Sequence, residues 1–177
     1  WKVGKGTRVG ILGLGGLGHM AVKLAAAMGA EVTMLSHTAS KEADAKRLGA
    51  QKFVLTSSEE QVKGVTGYFD FILDTVSADH DYNFYLSLLR SSGTMVCVGV
   101  PSAPAVVPAM NLIFGRKSIA GSLIGGIPET QEMLDFCAEH GIVSDVEIIA
   151  MRDINEAYER MLKSDVKYRF VIDMSTL

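Results

Sequence analysis

Apolar residues along this chain fall into short continuous runs separated by longer stretches with helical spacing. "RVGIL" (8–12), "EVTMLS" (31–36), "KFVLT" (52–56), "FDFILD" (69–74), "TMVCVGV" (94–100) and "SIAGSLI" (118–124) read as six strands. Runs without alternation are what strands covered on both faces require. Helices are predicted over 17–29, 41–49, 80–90 and briefly over 109–115. Alternation of strand and helix predicts an α/β fold, a doubly wound parallel six-stranded Rossmann sheet. "PSAPAVVPA" (101–109) holds three of the four prolines and reads as a loop. After Gly126 the pattern changes. A helix over 128–141, a strand over 146–151, a helix over 154–164 and a strand over 169–174 follow, so 1–125 and 126–177 are expected to be separate units.

The 177 residues carry a formal net charge of −3 with the signs mixed, which speaks against a general nucleic-acid partner. Lys23, Glu31 and Asp44 interrupt the longest apolar stretches, so no membrane span is expected. No cleavable signal pattern is present. Cys97 and Cys137 are the only cysteines; they make no disulfide framework and suggest a cytoplasmic protein.

Chemistry enters with "VGILGLGGLGHM" (9–20). Gly13, Gly15 and Gly18 satisfy G-x-G-x-x-G between a strand and a helix, the context in which the pattern marks a dinucleotide site. Gly13 permits the turn, Gly15 lets the backbone approach a pyrophosphate, and Gly18 lets helix and strand pack closely. An NAD site has an acid at the end of the second strand; here that position is Ser36, followed by His37, Thr38 and Lys41. Loss of the carboxylate removes repulsion for a 2′-phosphate, and Lys41 adds a cation. Thr38 or Ser40 is also expected to cap the helix over 41–49.

Other constellations carry less. Cys137 and His140 lie three apart on one helix and could be half a metal site, but zinc needs more ligands; a buried cysteine beside a helix end is the simpler reading. In "DHD" (79–81), Asp79 is expected to be a helix cap. Cys97 is expected in the core. His19 either reaches the coenzyme phosphates, packs, or faces solvent.

Together "GILGLGGLGHMAVKLAAAMGAEVT", "SHTASK", "ILDTVS", "SLLRSSGTMVCVGVP", "GRKSIAGSLIGGIPETQEMLDFCAEHGI" and "DVKYRFVID" resemble the zinc-containing medium-chain alcohol dehydrogenases, most of all the cinnamyl alcohol dehydrogenase group, which uses NADP(H). The resemblance implies a pyrophosphate loop at Gly13, Leu14, Gly15, Gly16, Leu17 and Gly18. It places the 2′-phosphate at Ser36, His37, Thr38 and Lys41, although the family's usual run there is richer in serine. Thr75 and Val76 match the adenosine-ribose side, Gly99 a contact on the fifth strand, Ser122, Leu123 and Ile124 the nicotinamide amide contact, and Arg169 an arginine that reaches back to the coenzyme. The family's zinc ligands belong to an N-terminal catalytic domain with no counterpart here. The chain is therefore expected to be the C-terminal portion of a longer enzyme. By itself it is expected to be inactive and to hold no zinc, with 126–177 completing the absent domain. The implied reaction is NADP(H)-dependent interconversion of primary alcohols and aldehydes, in a homodimer formed through strand 118–124. A zinc-free quinone or enoyl reductase and a non-catalytic nucleotide-sensing module are the alternatives.

Overall fold

A computed structural model describes all residues, 1–177. Six parallel strands form one sheet: β1 (Arg8–Leu12), β2 (Glu31–Ser36), β3 (Lys52–Leu55), β4 (Phe69–Asp74), β5 (Leu89–Cys97) and β6 (Ser118–Gly121), in the order β3-β2-β1-β4-β5-β6. This is the doubly wound dinucleotide-binding order, which reverses direction between β1 and β4. The apolar runs feed two cores. Val9, Ile11, Val32 and Met34 point to one face, where α1 (Gly16–Ala27) and α2 (Glu42–Leu48) bring Val22, Ala25, Ala45 and Leu48. Leu12, Leu35, Phe69, Ile72 and Met95 point to the other, beneath α4 (Tyr82–Leu88) and its Tyr85, Leu86 and Leu88. Strands that serve two cores cannot alternate apolar with polar, which is why the runs are continuous.

Several boundaries differ from expectation. α3 (Glu59–Lys63) is an unexpected one-turn helix capped by Ser58, whose hydroxyl accepts from the amide of Gln61. β5 begins at Leu89, through the polar Arg90-Ser91-Ser92-Gly93, and shifts register between Phe69 and Phe71 of β4. It ends at Cys97 because the amides of Val98 and Gly99 turn onto the carbonyl of Asp74. The expected strand 118–124 stops at Gly121. Asp81, and not Asp79, caps α4 by accepting from the amide of Asn83 at 2.9 Å. Neither Thr38 nor Ser40 caps α2. A 3-10 turn over Ala39–Lys41 intervenes, and the hydroxyl of Thr38 makes no cap bond. α5 is a single turn, Met110–Ile113.

Beyond Gly126, α6 (Ile127–His140) leads to β7 (Glu147–Ala150), α7 (Ile154–Leu162) and β8 (Phe170–Asp173), with β7 and β8 paired in parallel. This segment docks through one polar cluster. Asp145 accepts from Lys23 of α1 and, at 2.9 Å, from Arg47. Tyr168 is buried in the first core and stacks on His19, with ring centroids 4.6 Å apart.

At the opposite end of the sheet Asp70 accepts from the backbone and side chain of Arg8 and from the side chain of Arg90. Burial alone would raise its pKa. Those donors outweigh burial and hold it at about 2, below the ordinary 3.8. A carboxyl depressed in the folded state stabilises above its unfolded pKa and loses that contribution as pH falls through the folded one. Acidification from about pH 5 to about pH 2 is therefore expected to remove up to about 2 kcal/mol through Asp70. Asp70→Asn should flatten the stability profile across that window in urea melts; an unchanged slope would contradict the assignment.

Candidate coenzyme site

A cleft of about 910 Å³ opens at the C-terminal ends of β1, β2 and β4, the position at which open α/β sheets hold ligands. Its floor is the glycine loop. Gly13 has φ +91°, and a Cβ there would lie 2.8 Å from both Thr75 Oγ1 and Val76 Cγ2. A Cβ on Gly18 would sit 1.8 Å from the carbonyl oxygen of Gly13. Gly15 differs from both: nothing lies within 4 Å of its Cβ position. That opening beside the start of α1 suits an anion, which the helix dipole favours.

Gly13, Leu14, Gly15, Gly16, Leu17, Ser36, His37, Lys41, Thr75, Val76 and Arg169 all line this one cleft. Arg169 reaches it from the C-terminal segment, close enough that a Cβ on Gly16 would meet its guanidinium at 3.5 Å. Lys41 Nζ stands 3.4 Å from the carbonyl of Leu14, so this cation overhangs the glycine loop. Ser36 is buried; its hydroxyl accepts from the amide of Thr38 at 3.1 Å and holds the turn.

Six expected positions do not line the cleft. Thr38 bonds to Ser36 through its backbone. Gly18 is packed beneath Gly13. Gly99 backs the wall from behind, since a Cβ there would come within 2.2 Å of the carbonyl of Val76. Ser122, Leu123 and Ile124 follow β6 on an exposed loop.

Sequence reasoning missed Ser40, Asp44, His80, Lys167 and Tyr168, which also line the cleft. "DVKYRFVID" contained the signal for Lys167 and Tyr168, as neighbours of Arg169. Lys167 Nζ pairs with Asp44 at 2.6 Å and offsets a carboxylate that lines the cleft. His19 packs, and does not face the cleft. It is fully buried; its Nδ1 lies 3.1 Å from the carbonyl of Gly15, and its Nε2 accepts from the amide of Asp145 at 3.2 Å. Burial lowers its pKa, in keeping with a neutral ring that donates from Nδ1 and accepts at Nε2.

The side chains do not assemble a metal site. No three His, Cys, Asp or Glu residues gather as ligands. Cys137 is buried against Met133, and His140 stacks on Phe136. Cys97 is partly buried, and burial together with nearby Asp74 pushes its thiol up to about 11. No helix is long and apolar enough to cross a membrane.

Comparison with known proteins bears on the family and the fold. The zinc-binding dehydrogenase family matches residues 16–139. NADP-dependent alcohol dehydrogenase C of Mycobacterium tuberculosis is 55% identical over 177 residues, which cover 100% of this chain and 51% of that protein. A cinnamyl alcohol dehydrogenase structure from Sorghum bicolor superposes with TM-score 0.94 at 45% identity, covering 98% of this chain and 49% of the other. A Helicobacter pylori structure complexed with NADP(H) gives TM-score 0.88 at 41% identity, covering 98% and 50%. The chain spans about half the length of the curated relatives it matches.

Proposed function

The chain belongs to the zinc-binding dehydrogenase family, and we propose that it is the NADP(H)-binding half of an alcohol dehydrogenase that interconverts primary alcohols and aldehydes. The observation that carries the coenzyme reading is the open Cβ position of Gly15 at the start of α1, overhung by Lys41 and faced by Arg169. The residues fit a dinucleotide. The glycine loop and the α1 amides would hold the pyrophosphate, with Arg169 as countercharge. Thr75 and Val76 would wall the ribose, and His37, Ser40 and Lys41 would face the 2′-phosphate. Serine at position 36 leaves no carboxylate there to repel it. Ser122, Leu123 and Ile124 would contact the nicotinamide amide. When bound, the coenzyme supplies the hydride chemistry and the protein positions it.

No step is assigned to zinc, because this chain offers no ligand set for it. In this reading 1–125 is the coenzyme domain and 126–177 completes a catalytic domain, the protein is cytoplasmic, and the 177 residues alone bind coenzyme without turning over alcohol. Tighter binding of NADPH than NADH in calorimetric titration is the direct test; equal affinities would overturn the coenzyme assignment.

The same reading includes a homodimer through β6. That strand is one of the sheet's two edges, β3 being the other, and has a free row of backbone donors and acceptors. Ile113, Phe114, Leu123 and Ile124 beside it are exposed. Sedimentation at micromolar concentration is expected to show a dimer that Ile119→Pro dissociates, since proline removes a ladder donor. A monomeric unmodified chain would refute this.

A further inference from the structure

Asp74 is fully buried at the end of β4, and the coenzyme reading gives it no task. Its Oδ1 accepts from the amide of Val76 at 3.0 Å. Its Oδ2 lies 2.9 Å from His80 Nε2, while His80 Nδ1 lies 2.8 Å from the carbonyl oxygen of Ala78. The carbonyl can only accept, so Nδ1 carries a hydrogen. One further proton must then sit between Nε2 and Oδ2. Without it two lone pairs would face each other in a buried site.

These bonds close a ring from Asp74 to His80 around the segment that walls the cleft. The amide of Thr75 donates to the carbonyl of Leu12 at 3.0 Å, and the Thr75 hydroxyl donates to the same oxygen at 2.8 Å. Thr75 and Val76 are the residues that press on Gly13. The shape of the glycine loop is therefore tied to the Asp74–His80 contact. The ring of His80 is clamped by Tyr82, stacked at 4.6 Å between centroids, and by the edge of Tyr85 at 5.7 Å. The other titratable groups nearby are Cys97, beside Asp74, and the carboxylates of Asp79 and Asp81 on the same loop.

We propose that Asp74 and His80 form a one-proton latch. It holds residues 75–79 against the glycine loop, and coenzyme affinity falls when the shared proton leaves. His80 acts here as a positioning residue, and the statement about affinity rests on the coenzyme reading above.

Two variants separate proton from shape. Asp74→Asn offers an amide N–H to a neutral His80 Nε2 and keeps an oxygen for Val76, so the latch persists without the titrating proton. His80→Phe keeps a ring against Tyr82 and leaves the carboxylate unpaired. In the unmodified chain, affinity for both NADPH and NADH should fall about ten- to hundredfold, the size of one charged hydrogen bond, over the pH interval in which the proton shared by Asp74 and His80 is lost, as read by NMR. A change common to both coenzymes excludes the 2′-phosphate and Lys41 as its source. Asp74→Asn should bind with no pH dependence over that interval, and His80→Phe should bind weakly throughout with its circular dichroism retained.

Affinity that ignores the loss of the shared proton, or a His80→Phe chain that binds like the parent, would overturn the latch. Should the parent bind neither coenzyme at any pH, the coenzyme reading fails and the latch is judged on the free chain. There the Val76 amide resonance should move with the His80 ring in the parent and stay still in Asp74→Asn; a Val76 signal indifferent to the ring would reject it.

Discussion

Gly18→Ala is expected to abolish coenzyme binding by unfolding the glycine loop, whereas Gly15→Ala is expected to abolish it in a chain that remains folded. The two glycines share a motif and differ in what a methyl group would meet. At Gly18 it would lie 1.8 Å from the carbonyl oxygen and 2.9 Å from the carbonyl carbon of Gly13. Both atoms are backbone, so relief requires α1 and β1 to separate. That overpacking is expected to cost about 3 kcal/mol or more, a large part of the roughly 5–15 kcal/mol that keeps a domain folded. At Gly15 the backbone is extended, with φ −138° and ψ −155°, and the methyl would enter open space. Alanine fits that conformation, and as a helix cap it costs no more than about 1 kcal/mol. In the proposed coenzyme reading it would, however, stand where the pyrophosphate approaches. Denaturant midpoints and NADPH titrations on both variants are the check. A Gly15→Ala chain that binds normally would mean that the phosphates do not pass this loop. A Gly18→Ala chain of unchanged stability would mean that the helix–strand contact is wrong.

The second large effect concerns which coenzyme is chosen. Lys41→Ala is expected to weaken NADPH about ten- to hundredfold and leave NADH nearly unchanged, because a charged hydrogen bond is worth about 1.5–3 kcal/mol and each 1.4 kcal/mol is a factor of ten. Ser36→Asp should reverse the preference. The serine hydroxyl already accepts from Thr38; an aspartate can keep that bond and present a second oxygen, which repels a phosphate and accepts from free ribose hydroxyls. Titrations belong at fixed ionic strength, since salt screens the phosphate contact. Equal losses of both coenzymes in Lys41→Ala would assign the lysine to the loop carbonyl of Leu14 and not to selectivity.

What the sequence disclosed and what it hid divide along physical lines. Strand number and the doubly wound class were legible because burial on both faces imposes continuous apolar runs such as "RVGIL" and "FDFILD", whereas the strand order came only with the structure. The glycine loop was legible because its spacing is set by backbone contact, which other residues cannot make. Caps were not. Asp79, Asp81, Thr38 and Ser40 are chemically equivalent candidates, and the choice of Asp81 depends on where α4 begins. The polar start of β5 was hidden because Arg90, Ser91 and Ser92 expose their side chains and fall within the register shift, where no apolar run marks the strand. The Asp74–His80 contact was hidden as well. A hydrogen bond six residues apart across a loop has no periodicity, so "DHD" reads as a turn. Tyr168 and Lys167 reach the cleft only by tertiary folding.

The docking of Tyr168 and Asp145 onto α1 bears on the order of assembly. β1 pairs with β2 across 23 residues, Arg8 opposite Glu31, and with β4 across 62, Val9 opposite Phe71. The hydrogen bond between His19 and Ser144 spans 125, and that between Lys23 and Asp145 spans 122. Chain entropy rises with the loop each contact closes, and the long closures give little return until their target surface exists. On these separations the sheet and the glycine loop are expected to form first, as an early scaffold. The wall carrying Lys167, Tyr168 and Arg169 is expected to condense onto it afterwards, so that the complete cleft is acquired later than the Rossmann topology itself.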